Sequence, residues 1–296
     1  NVAIGASALA TQNAGADGHN TAVGYNAGTA VTTGIENTLI GGLSGDALTD
    51  ADFNVAVGSG ALGADTLGSR SVAIGRNTLA TQNFTSATSV NNTAVGYEAG
   101  KSTTVGIDNC LFGSNAGFAL TDADDNVAIG RSALATDTLG RKSTAVGNGA
   151  LNLQNFTSSG DTGNTAVGYN AGAATTTGAE NTFIGAKAGV ANTTGRFNTF
   201  VGETSGDSNT TGIRNSAFGQ SAFQANTTGD YNTALGRTAM YNNTTADNNV
   251  AVGYEALYNN TTASNNTAVG YQALTANTTG AGNTAFGKGA GVRVTT

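Results

Sequence analysis

The chain has 296 residues, of which 44 are glycine and none proline or tryptophan, with a single cysteine, methionine and histidine. Charged residues make up 10% of it, and the net charge is −7 with only 12 Lys plus Arg. Cys110 alone excludes a disulfide scaffold or cysteine-rich metal site, His19 alone argues against a histidine triad, and so few cations argue against nucleic-acid binding. No apolar run approaches the roughly 20 residues of a membrane helix. The first residues carry no basic, apolar signal segment, and the start at Asn1 reads as that of a processed or excised chain.

A five-residue word recurs in chain order from Asn1-Val-Ala-Ile-Gly5 through Asn20-Thr-Ala-Val-Gly24 to Asn266-Thr-Ala-Val-Gly270 and beyond. Seventeen copies occur, and thirteen of the sixteen spacings between their glycines are 17 residues. A fixed period of this kind is the signature of a solenoid. The expected fold is all-β, a parallel β-solenoid or β-roll of about 17 coils that forms one repeat domain over residues 1–296. Residues 1–167 carry a superrepeat of four coils and about 72 residues, with longer spacings after Gln12, Gln82 and Gln154. Residues 168–296 are uninterrupted 17-residue coils whose turn becomes Asn-Thr-Thr-Gly.

Within the word, a large apolar residue precedes glycine (Ile4, Val23, Ile40, Val57, Phe112, Phe218) and a small, mostly β-branched one stands two places earlier. Spacing of two places both on one strand face, and that pair is read as the coil interior. The residue between them is Ala in thirteen coils. It then points outward, and Leu39, Leu111, Phe183 and Phe200 with Ala94 and Ala166 make an oligomer face. The closing glycine suits a backbone form or a close approach that a Cβ forbids. Three residues on comes Ala in fourteen coils, then Leu, Phe or Met in nine and Gly in eight, read as a second short strand. The word opens with Asn in fifteen coils, and stacking aligns Asn20, Asn92, Asn164, Asn181, Asn198 and Asn215 into a structural amide ladder. One coil cannot offset the entropy of ordering itself, so stability comes from stacking. At about 4.8 Å per coil the array makes a rod of roughly 80 Å.

The word, with Ala three residues beyond its glycine, resembles the head repeat of the YadA-like trimeric autotransporter adhesins. Asn1-Val-Ala-Ile-Gly5 and Asn126-Val-Ala-Ile-Gly130 carry that likeness. The continuations Gly253-Tyr-Glu-Ala-Leu257 and Gly270-Tyr-Gln-Ala-Leu274 look like repeat arrays of phage tail-fibre proteins. The resemblance spans the whole chain and implies a left-handed β-roll, three chains packed about an axis, and a place in a longer fibre. The 17-residue coil departs from that family's shorter one.

Candidate sites are sparse. Tyr241, Tyr254, Tyr258 and Tyr271 concentrate aromatic surface late in the chain, and exposed rings can stack on sugars. Asp50 and Asp52, repeated as Asp122 and Asp124 with Asp125, supply too few oxygens for calcium and read as scaffold turns. Threonine pairs such as Thr193/Thr194 and Thr210/Thr211 are similar in kind to the arrays of ice-binding solenoids, but sit in a turn. No catalytic constellation and no cofactor or metal follows from the residues. The expected function is structural and adhesive: a shaft or head of an extracellular fibre, on a virion or bacterial cell surface, attaching to a host receptor or glycan. The expected partner besides the receptor is the chain itself, as a homotrimer or an end-to-end fibre. An ice-binding solenoid or a self-assembling extracellular filament subunit is the alternative.

Overall fold

The computed structural model describes residues 1–13 and 17–295. Each word forms a three-residue strand that pairs in parallel with the same word one coil later, as Thr182↔Thr199, Phe183↔Phe200 and Ile184↔Val201 do. The result is an all-β parallel solenoid of about 17 coils, in two compact units. Asn1–Ser143 with Asn155–Asp161 form the first, whose eight word strands run from Val2–Ile4 to Val127–Ile129. Two parallel ribbons add to it, Gly68–Ser69 with Thr88–Ser89 and Gly140–Arg141 with Gly160–Asp161. Thr144–Gln154 with Thr162–Thr296 form the second unit, with nine word strands from Thr144–Val146 to Thr284–Phe286.

The closing glycine is needed on two counts. Gly24 has φ +141°, and a Cβ there would lie 2.6 Å from the carbonyl of Gly41 in the next coil. The chain after it does not form the second strand expected from the sequence. It runs as successive turns because left-handed residues alternate there, Lys187 at φ 59° and Gly189 at φ 57° in one coil. A strand needs an unbroken extended backbone, and alternation with the left-handed region removes it.

The strand's two faces are also reversed relative to the sequence reading. Its middle residue is the one that points inward. Leu39, Leu111, Phe183, Phe200, Ala94 and Ala166, assigned above to an oligomer face, are fully buried within the chain's own coils. The residues before glycine lie on the outside instead, Ile40, Ile129 and Ile184 among them. The interior has several walls, and its far side decides the size of the middle residue. Where glycine stands four places after the word, the wall recedes and a large side chain fills the gap. A Cβ on Gly100 or Gly117 would come within 2.7 Å of Leu111, and one on Gly172 within 2.6 Å of Phe183. Where that place holds Leu62, Leu79, Leu134 or Leu151, the strand carries alanine. Over the superrepeat that place runs Gly28, Gly45, Leu62, Leu79 and again Gly100, Gly117, Leu134, Leu151, an order that is thus a volume exchange across a close-packed core. In the second unit Phe183 stacks on Phe200 at 5.6 Å, and Phe223 continues the aromatic core 6.4 Å from Phe200.

Candidate functional site

Buried polar ladders tie the coils and set the strands' orientation. Asn20 Oδ1 accepts the backbone N–H of Asn37 at 2.8 Å, while its Nδ2 donates to the carbonyl of Gly34 at 2.7 Å. Asn92, Asn164, Asn181, Asn198 and Asn215 repeat the first bond to the next coil at 2.9–3.0 Å. The ladder is therefore side chain to backbone at every one of these rungs, with direct amide–amide bonds at some, as between Asn164 and Asn181 at 3.2 Å. Each such bond is worth about 1 kcal/mol net, and a buried orphan would cost more.

A second ladder escaped the sequence reading. Asn192, Asn209, Asn226, Asn243, Asn260 and Asn277 are buried, and from Asn209 onward each amide donates to the carbonyl oxygen of the preceding one at 2.7–3.1 Å. Their 17-residue recurrence was visible, but asparagine beside Thr-Thr-Gly reads as turn chemistry unless the side chain's direction is known. The first ladder changes residue at Ser71 and Ser143, where longer coils follow. In the first of these coils Gln82 Nε2 reaches both Asp65 and Ser71, and its Oε1 accepts from Asn92, so one amide bridges the inserted residues.

With these side chains inside, the outward face of each unit's strands bears two columns. One holds Thr or Val with Cys110 and Ser216, the other Val, Ile, Leu or Phe. Neither column contains a charged residue in either unit. Its apolar members stay partly exposed, with Ile184 40% and Phe218 39% accessible. Charges gather at the flanking positions, for example Arg76 and Arg237 just after the glycine and Glu180 and Arg214 just before the word.

The candidate tyrosines form stacks along the coils. Tyr241 and Tyr258 lie 5.1 Å apart at 9°, and Tyr254 and Tyr271 lie 5.3 Å apart at 17°. Arg237 covers Tyr254 at 5.8 Å and Lys288 covers Tyr271 at 5.6 Å, so this column uses its ring faces internally. What it offers outward is ring edge and hydroxyl. A hydrogen bond to Glu255 raises the Tyr254 phenol above its usual range, while the Gln272 amide, then Tyr254, hold the Glu255 carboxyl below its own.

The aspartates also serve the scaffold. Asp52 Oδ1 accepts the Ile35 N–H at 2.9 Å, and Asp50 Oδ1 the Thr33 hydroxyl at 2.6 Å. Asp124 repeats this with Ile107 at 3.0 Å and pairs with Arg141 at 3.2 Å. Among the described residues no three His, Cys, Asp or Glu gather as a metal would need. The turn threonines are similarly engaged, since Thr193 Oγ1 donates to the Thr210 carbonyl at 3.0 Å and Thr210 to that of Thr227 at 2.9 Å. Among the described residues no helix is long and apolar enough to cross a membrane. Comparison with protein-family models and with curated proteins finds no match.

Proposed function

We propose that the chain is a structural and adhesive element of an extracellular fibre, a phage tail fibre or a bacterial trimeric adhesin, assembled from three copies in parallel. The observation that carries the assembly is the uncharged outward strand face. The column of Val, Ile, Leu and Phe on that face is a continuous run of partly exposed apolar side chains, which soluble monomers rarely leave open, and an uncharged centre with a charged rim is the usual anatomy of an interface. The partner is the chain itself. A rise of about 4.8 Å per coil must be matched rung by rung, and another copy in the same direction has that rise by construction. Three copies rather than two follow from the resemblance to trimeric head repeats. The structural role is supported by polar side chains committed to joining coils, and the attachment role rests on the same resemblance.

Cys110 lies on this face and reports on it without substitution. Light scattering is expected to give about three times the 29.1 kDa chain mass, with Cys110 slow to react with maleimide until the assembly is dissociated. A monomer whose Cys110 labels freely would overturn the assembly. For attachment, the labelled protein should be retained saturably on bacterial cells and displaced by excess unlabelled protein.

A second reading draws on the same columns. Thr165, Thr182, Thr199, Thr233 and Thr267 stand in one row on an open sheet, beside methyl groups, a better array for ice than the engaged turn threonines. Thermal hysteresis from a monomeric protein would favour that reading over the fibre.

A further inference from the structure

The superrepeat places the same inserted segment twice in the first unit, and the two copies differ in charge. In the later copy Lys142 pairs with Asp161 at 2.7 Å and Arg141 with Asp124 at 3.2 Å, so both cations are neutralised locally. In the earlier copy Ser69 stands for Arg141, Arg70 for Lys142 and Ser89 for Asp161. Among the described residues Arg70 has no ion-pair partner. Phe53 replaces Asp125 in the neighbouring coil and is 44% exposed. A surface pocket opens at this place, lined by Asp52, Phe53, Ser69, Arg70, Thr88 and Ser89.

The backbone holds its walls. Arg70 N–H donates to the Asp52 carbonyl at 3.0 Å, Phe53 N–H to that of Ile35 at 3.1 Å, and Gly68–Ser69 pairs with Thr88–Ser89. Phe53 and Arg70 both sit in the left-handed region, at φ 61° and 65°, on consecutive coils. The pocket thus combines one unpaired guanidinium, one aromatic ring, a carboxylate already tied through one oxygen, and hydroxyl groups. A guanidinium selects a carboxylate, the ring offers a flat apolar surface, and the remaining groups suit vicinal hydroxyls.

We propose that this pocket binds an acidic saccharide, a sugar ring bearing a carboxylate. Arg70 pairs with the sugar carboxylate, Phe53 packs on the ring's apolar face, and Asp52 with Thr88 and Ser89 takes up ring hydroxyls. This deepens the attachment reading by naming its ligand class, but the pocket lies within one chain and does not depend on the assembly.

The test is titration of the intact chain with a trigalacturonate, with the neutral galactose trisaccharide and acetate as controls. Binding to the trigalacturonate should be at least about tenfold tighter than to either control. R70Q should abolish that preference while R70K retains part of it, and F53A should weaken both saccharides. Equal binding of acidic and neutral sugars, no binding, or a preference that survives R70Q would overturn the proposal. Acetate binding as tight as trigalacturonate would overturn its saccharide part. None of these results alters the mass or the Cys110 protection, so failure of the pocket is distinct from failure of the fibre reading.

Discussion

Asparagine does three different things here, and only position separates them. At the head of the word Asn215 caps the next coil's backbone; in the turn Asn226 joins an amide ladder; before the word Asn248 takes a left-handed conformation at φ 58°. Replacing Asn226 by Ala strands the Asn209 carbonyl oxygen and the Gly229 backbone N–H in a buried column, and leaves the Asn243 amide only its bond to the Ala246 carbonyl. Each orphan costs about 1–3 kcal/mol. Because contacts run only between neighbouring coils, hydrogen exchange should accelerate around residues 209–243 and leave the distant part of that unit protected. Uniform loss across the unit would contradict a local ladder.

At the scale of the coil, size is conserved across the interior rather than at any one position. Gly117 has φ +58°, and a Cβ would lie 2.7 Å from Leu111 Cδ2 and 2.8 Å from Leu120. Gly117→Ala therefore adds backbone strain to overpacking, a cost of about 2–4 kcal/mol. Leu111→Ala alone leaves a cavity, also a loss of about 2–5 kcal/mol. The double substitution recreates the local pattern of a Leu-walled coil only in part, and its cost should fall below the sum of the two. Denaturant melts of the four proteins measure that coupling, and strict additivity would show that the two positions do not share a cavity.

For the whole molecule, the reversal of the strand faces changes which substitutions matter. Val95 and Val167 lie on the outward face, so Val95→Asp with Val167→Asp should dissociate the assembly while leaving the β circular dichroism of the coils in place. Ala166 is fully buried, and Ala166→Glu should unfold the coils around it, since an unpaired buried charge costs several kcal/mol. Scattering and circular dichroism of the two variants separate the outcomes. Dissociation without unfolding by Ala166→Glu would restore the alanine row as the contact surface.

The sequence by itself determined the period, the strand at each word, the parallel stacking and the place of the glycines, because a short β-branched word that recurs every 17 residues buries its apolar positions by stacking on copies of itself. It also contained the clue to orientation, in the coupling of Leu39, Leu111 and Phe183 to glycines on neighbouring coils. That clue is pairwise across the interior, whereas hydrophobic alternation is local and reads the same from either face of a three-residue strand. Only the tertiary structure decided which face is inside. It did so through the other walls of the coil, whose Asn, Gln and Leu columns leave space for alanine opposite Leu and for Leu or Phe opposite glycine. The pocket at Phe53 and Arg70 was beyond the sequence for the same reason: its residues lie on three successive coils, and their meeting is fixed by stacking.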